Sequence, residues 1–151
     1  MVVNSWKDLR VFKNAMEGCM EIFELTKGFP PDERFSLIDQ IRRSSRSVCA
    51  NLGEAWRARR HPAAFSAKLD IAAGEAGETQ VWIEIAKRCG YISGDVAARV
   101  DGVYEHVVAQ LISMSSNPEP WLIAPRPAKP NSHGEASVET DRGRKSLRAG
   151  A

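Results

Sequence analysis

The densest chemistry-bearing stretch lies between residues 42 and 60. It holds Arg42, Arg43, Arg46, Arg57, Arg59 and Arg60, with Glu54 as the only acid. Guanidiniums in such a row suit phosphate, which Arg grips through two parallel hydrogen bonds. On a helix, Arg42, Arg46, Arg57 and Arg60 share one sector beside the apolar stripe. A second use competes. Two helices folded back around residues 60–61 bring level those positions whose numbers sum to about 121. Arg46 then lies level with Glu75, and Arg43 with Glu78, as cross-helix ion pairs. Arg57, Arg59 and Arg60, at the tip, have no such partner and stay open to a ligand.

The other candidate groups point away from catalysis. The sequence contains no GxSxG, P-loop, GxGxxG or HExxH pattern. A di-iron bundle needs interior Glu-x-x-His pairs. His61 and His106 instead follow Ala58 and Val103 at minus three, and His133 lies near the C-terminal end. Cys19, Cys49 and Cys89 are far apart and form no CxxC. Each falls on or beside a helical stripe, as a small buried hydrophobe in a reducing compartment. No metal, cofactor or catalytic residue is expected.

The elements that position these groups are helices. Ser5 and Asp8 form a capping box, followed by Leu9, Phe12, Met16, Cys19, Phe23 and Thr26 in steps of three and four. Gly28 and Pro30-Pro31 end this first helix. A second, starting near Asp32 and ending near Arg60, carries Ile38, Ile41, Ser45, Val48, Leu52 and Ala55, widened by Cys49 and Trp56. Pro62 starts a third, striped by Phe65, Leu69, Ala72, Ala76, Thr79, Ile83, Ala86 and Gly90. A fourth, from Ser93 or Gly94, carries Val96, Val100, Val103, Val107, Leu111 and Met114.

Short connections between long amphipathic helices make antiparallel neighbours. The expected fold is therefore all-α, an up-down-up-down four-helix bundle over residues 1–122. Residues 123–151 are Pro-rich, mildly basic and poor in apolar side chains, and are expected to be a disordered tail. The chain has 151 residues, 43% hydrophobic, with a net charge of only +2, so any affinity for nucleic acid must be local. The absence of a signal peptide or a membrane-length apolar run makes a cytoplasmic location the expectation.

Helix three bears a second stripe of Ile71, Glu75, Glu78, Trp82, Ile85 and Cys89. A helix that is apolar on two sides tends to bury both. Ile71, Trp82 and Ile85 are thus expected at a subunit interface, with a splayed bundle that buries them internally as the competing reading.

Several fragments occur in a specific order. They are Asp8-Leu9, Phe29-Pro30 with Glu33, Gln40-Ile41-Arg42-Arg43, Ser47, Asn51-Leu52-Gly53-Glu54, Phe65, Leu69, Ile71-Ala72, Glu78 and Gly90-Tyr91. Over roughly residues 6–115 this pattern resembles the bacterial four-helix bundle proteins associated with intervening sequences of 23S ribosomal RNA genes. The family's usual Asn-Ile-Ala-Glu-Gly reads Asn51-Leu52-Gly53-Glu54-Ala55 here. The resemblance implies a ring-like homopentamer. A related branch, the accessory variability determinants of diversity-generating retroelements, binds nucleic acid and associates with a reverse transcriptase. Asn51 and Glu54 match the family motif off the apolar stripe, as register-fixing polar residues or as contacts to a neighbouring subunit. The expected function is a non-enzymatic homo-oligomer that binds RNA or DNA through Arg42, Arg57, Arg59 and Arg60. The alternative is a structural or adaptor protein that acts only through protein association.

Overall fold

Each helix begins and ends where local chemistry dictates. In the computed structural model, residues 2–129 are described. They form α1 (Arg10–Thr26), α2 (Leu37–Arg57), α3 (Pro62–Arg88) and α4 (Gly94–Ser116), with short 3-10 turns at Trp6–Asp8, Pro31–Glu33 and Glu119–Trp121. No strand occurs among the described residues.

The capping box at Ser5 forms, but it caps a 3-10 turn rather than α1. Lys7 N–H donates to Ser5 Oγ at 3.3 Å, and Ser5 N–H donates to Asp8 Oδ2 at 3.1 Å. Leu9 then breaks the helix with ψ of 127° as its side chain turns into the core, and α1 starts at Arg10. The start of α2 is later than Asp32 for a similar reason. Pro30-Pro31 opens a separate 3-10 turn. Glu33 Oε2 accepts the Leu37 N–H at 3.1 Å and the Ser36 hydroxyl, supplying the cap that Ser36 does not. The helix stops at Arg57, so residues 58–61 form the turn that Pro62 closes. Gly90, with φ of 76°, ends the run after α3. Tyr91 N–H there reaches back to the Ala86 carbonyl at 2.9 Å.

The architecture is an all-α, up-down-up-down four-helix bundle. Each helix packs on its two neighbours, α1 on α2 and α4, α3 on α2 and α4. Polar contacts fix the antiparallel registers. Ser44 and Thr79 hydroxyls meet at 2.8 Å between α2 and α3. Asn14 donates to Gln110 at 3.0 Å between α1 and α4. Gln80 donates to Asp101 at 3.2 Å between α3 and α4.

The core follows the helical stripes, with two shifts of phase. On α3, Phe65, Leu69, Ala72, Ala76, Thr79, Ile83 and Ala86 are all buried. On α1 the buried face runs through Val11, Phe12, Ala15, Gly18, Cys19, Ile22 and Thr26, leaving Met16 exposed and Phe23 half-buried. On α4, Ala97 and Tyr104 are buried while Val96 and Val103 are only half-buried. A smaller cluster of Phe29, Leu37 and Ala86 seals one end. Here Phe29 packs on Tyr91 at 5.3 Å, and Tyr91 donates to Glu33 Oε1 at 2.9 Å. Phe29, Glu33 and Tyr91, distant in sequence, thus form one closure. The hydrogen bonds from Ser36, the Leu37 amide and Tyr91 hold the Glu33 carboxyl below its ordinary range.

No helix among the described residues is long and apolar enough to cross a membrane. The expected disordered tail begins at 123, and its residues 130–151 lie outside the described residues. Residues 123–129 are exposed and irregular.

Candidate nucleic-acid interface

The arginines of α2 separate into three groups. Arg42 belongs to the scaffold. Its Nε donates to Thr26 Oγ1 at 2.7 Å, one terminal nitrogen reaches the Phe23 carbonyl, and its guanidinium stacks on the Phe23 ring at 4.8 Å. This side chain ties the last turn of α1 to α2, which accounts for Arg42 without a ligand.

Arg43 is an ion-pairing residue. It bridges to Glu78 at 2.5 Å and to Glu75 at 3.3 Å. Arg43, ahead of the Trp82 indole N–H, holds the Glu78 carboxyl below its ordinary range. The expected Arg46–Glu75 pair is not made. Level position is satisfied, but direction is not. Three residues on, Arg46 is rotated by about 60° around the helix from Arg43, toward the flank that carries Arg42 and faces α1, near Cys19. Glu75 therefore goes to Arg43.

The third group sits at the α2–α3 turn. Arg57 is exposed. Arg59 lies flat on the buried Trp56 ring, its guanidinium carbon 3.4 Å from the ring centroid, and its Nε donates to the Trp56 carbonyl at 2.8 Å. These contacts fix an arginine that would otherwise sample many rotamers. Burial, then the charges of Arg60 and Arg57, lower the affinity of Arg59 for its own proton.

The chain after α4 completes this end. Trp121 and Leu122 pack against the core. Ile123 N–H then donates to the Arg59 carbonyl at 3.1 Å, and Arg60 donates to the Ala124 carbonyl. The segment delivers Arg126 beside Arg60. Together with His61 and Pro125 these side chains line a surface hollow of about 580 Å³. None of the ion pairs among the described residues uses Arg57, Arg59, Arg60 or Arg126. Sequence reasoning missed Arg126 and His61, counting the first as tail charge and testing the second only as a metal ligand. The apolar Trp121-Leu122-Ile123 run was the available sign that the chain stays on the bundle.

The motif residues Asn51 and Glu54 have local partners. Asn51 Nδ2 donates to the Ser47 carbonyl at 2.9 Å and to its hydroxyl at 3.1 Å. Glu54 is exposed and pairs with Lys68 of α3 at 2.6 Å, so it is not a buried register group. On the outer face of α3, Ile71 is 47% and Ile85 37% exposed, joined by Val81 at 56%. Trp82 instead lies half-buried against both core clusters, with its indole on Glu78, so internal packing accounts for it. Among the described residues, no group of three or more His, Cys, Asp or Glu is placed to hold a metal ion.

Comparison with known proteins places this geometry in context. No curated protein matches the chain. A crystal structure from Bacteroides thetaiotaomicron, of a protein with unknown function from the S23 ribosomal protein family, superposes with a TM-score of 0.65 at 31% identity. The match covers 71% of this chain and 99% of that one. The profile described as 23S rRNA-intervening sequence protein matches residues 7–113, most of the bundle. The chain therefore belongs to the 23S rRNA-intervening sequence protein family.

Proposed function

We propose that this chain is a non-enzymatic, self-associating helical protein that binds nucleic acid, RNA in the first instance, through the arginines of the α2–α3 turn. One observation carries the reading. Arg57, Arg59, Arg60 and Arg126 converge on one end of the bundle with no carboxylate partner, while the other arginines of α2 face α1 or α3. A concentration of unpaired guanidiniums repels itself, and a phosphodiester backbone relieves that repulsion. Arg59, stacked on Trp56, presents one preset guanidinium, Arg60 is tied to the Ala124 carbonyl, and Arg57 is exposed. The family description points to RNA as the first probe.

Self-association rests on α3. Its outer face exposes Ile71, Val81 and Ile85, and the backbone at Gly77 with the side chains of Val81 and Ile85 borders a shallow groove. Gly74 and Gly77 have open space where a Cβ would stand. Helix-interior glycine costs about 1 kcal/mol against alanine, and none of the described residues comes within 4 Å of a Cβ at these positions. Beside the exposed Ile71, Val81 and Ile85, that space suits a second helix lying close on this face. The ring of five copies implied by the resemblance is the assembly proposed. This face also supports the alternative, a protein that acts only by association with other proteins.

Replacement of Arg57, Arg60 and Arg126 together by alanine separates the two readings, because all three are exposed and leave the core intact. Fluorescence anisotropy with labelled single-stranded RNA and with duplex DNA reports binding, and light scattering reports assembly. The proposal expects binding by the parent protein, its marked weakening in the variant, and a mass near five times the 16.7 kDa chain in both. Equal binding by parent and variant, or none by either at low salt, refutes it.

A further inference from the structure

Two of the three cysteines meet in the core. Cys19 of α1 and Cys49 of α2 are buried, with 8% and 9% of their surface exposed. Their juxtaposition follows from the helix register. The Arg42–Thr26 hydrogen bond fixes one level of the antiparallel α1–α2 pair. One heptad forward from Arg42 is Cys49, and one heptad back from Thr26 is Cys19. A heptad returns nearly to the same face of a helix, so the two sulfurs confront each other across the same seam. The two thiols are close enough to influence each other's ionisation, and Ser45, one turn before Cys49, lies on the same side of α2. Arg46, released from Glu75, brings its positive charge to the same flank.

We infer that Cys19 and Cys49 form an oxidisable pair, a modification site at which a hydroperoxide closes a disulfide between α1 and α2. The chemistry balances with hydrogen peroxide as the two-electron oxidant. The Cys19 thiolate attacks one peroxide oxygen, the O–O bond breaks, and the departing hydroxide takes up a proton to become water. The resulting sulfenic acid is attacked by the Cys49 sulfur. The S–S bond forms, the S–O bond breaks, and the Cys49 proton leaves with the hydroxyl as a second water. The neighbouring Cys49 thiol, the Ser45 hydroxyl and the Arg46 charge favour ionisation at Cys19 against the opposing effect of burial, while Cys49 keeps its proton. These are the roles of an attacking and a resolving sulfur.

Cys89 is exposed at the end of α3, outside this seam. It supplies the competing outcome, a disulfide between two copies. The test therefore uses the full chain carrying Cys89→Ser, an exposed change that spares the core. The protein is treated with hydrogen peroxide, quenched, digested without reductant and mapped by mass spectrometry. The expected result is a linked pair of peptides containing Cys19 and Cys49, lighter by two hydrogens and separated by dithiothreitol. Closing a loop of about 30 residues raises the thermal midpoint by roughly 10 °C, reversibly with reductant. Recovery of both residues as thiols overturns the inference. So does conversion of Cys19 to sulfinic acid beside an unmodified Cys49. A linked pair without any rise in the midpoint also overturns it, because the pair then forms only after unfolding.

Discussion

Replacing Gly18 by alanine tests the packing of the core at its tightest point. Gly18 lies in α1 against the Tyr104 ring of α4. A Cβ built there stands 3.0 Å from Tyr104 Cζ and 3.1 Å from Cε2 and the hydroxyl oxygen. Alanine in a helix interior is ordinarily better than glycine by about 1 kcal/mol. At Gly18 that gain meets a ring with no exposed surface, which must shift by a few tenths of an ångström. Overpacking of this kind costs about 1 to 3 kcal/mol, so Gly18→Ala is expected to destabilise by about 1 kcal/mol. Gly102→Ala on α4, with nothing within 4 Å of its Cβ, is the control and is expected to gain about 1 kcal/mol. Urea melts at one protein concentration, with unchanged slope, read both values. In a Tyr104→Leu background the penalty at Gly18 should vanish, an interaction visible as non-additivity. If Gly18→Ala gains as much as Gly102→Ala in the parent background, Tyr104 does not fill that space and the α1–α4 packing described here is wrong.

Other perturbations separate scaffold from surface. Arg42→Ala should lower stability by about 1 to 2 kcal/mol through loss of its charge-assisted bond to Thr26. It should leave RNA affinity unchanged, and weakened binding by a still-folded protein would return Arg42 to the ligand surface. Ser44→Ala should cost about 1 kcal/mol by removing the buried Ser44–Thr79 bond. Adding Thr79→Val should cost less than the sum of the single changes, and strict additivity in chemical denaturation would count against that bond. Glu33 titrates below its ordinary range, so its contribution is present above the unfolded carboxylate pKa and is lost as pH falls through the lowered folded value. Glu33→Gln should therefore flatten the acid side of the midpoint-against-pH curve, and an unchanged acid limb would show that the carboxylate contributes nothing there.

Much of the fold was legible because α3 obeys a single rule. Its stripe repeats in steps of three and four through side chains that are all small or apolar, and every one from Phe65 to Ala86 is buried. The phase of α1 was less legible because large side chains dominated the reading. Ala15 and Gly18 are what the neighbouring helix packs on, and Met16 is left outside. Tyr104 was overlooked among valines because its hydroxyl marks it as polar, yet that hydroxyl is buried without a hydrogen-bond partner among the described residues. The α2–α3 register was accessible from the short hairpin, and Arg43 does face Glu78. Numbers fix level but not direction, and that is how Arg46 was misplaced. The contribution of Arg126 depends on a backbone bond from Ile123 to Arg59. The apolar Trp121-Leu122-Ile123 run signals that the chain stays on the bundle, but not which backbone group it meets.

The salt dependence of RNA binding tests the central claim most directly. Each phosphate contact adds about 0.7 to the slope of log affinity against log salt for a single strand. Parent protein and the Arg57, Arg60 and Arg126 triple alanine variant are titrated with the same RNA over a range of potassium chloride. The account predicts binding that weakens with salt, and a slope smaller by about 2 in the variant. Equal slopes and equal affinities, or no binding by the parent protein at the lowest salt, would contradict it.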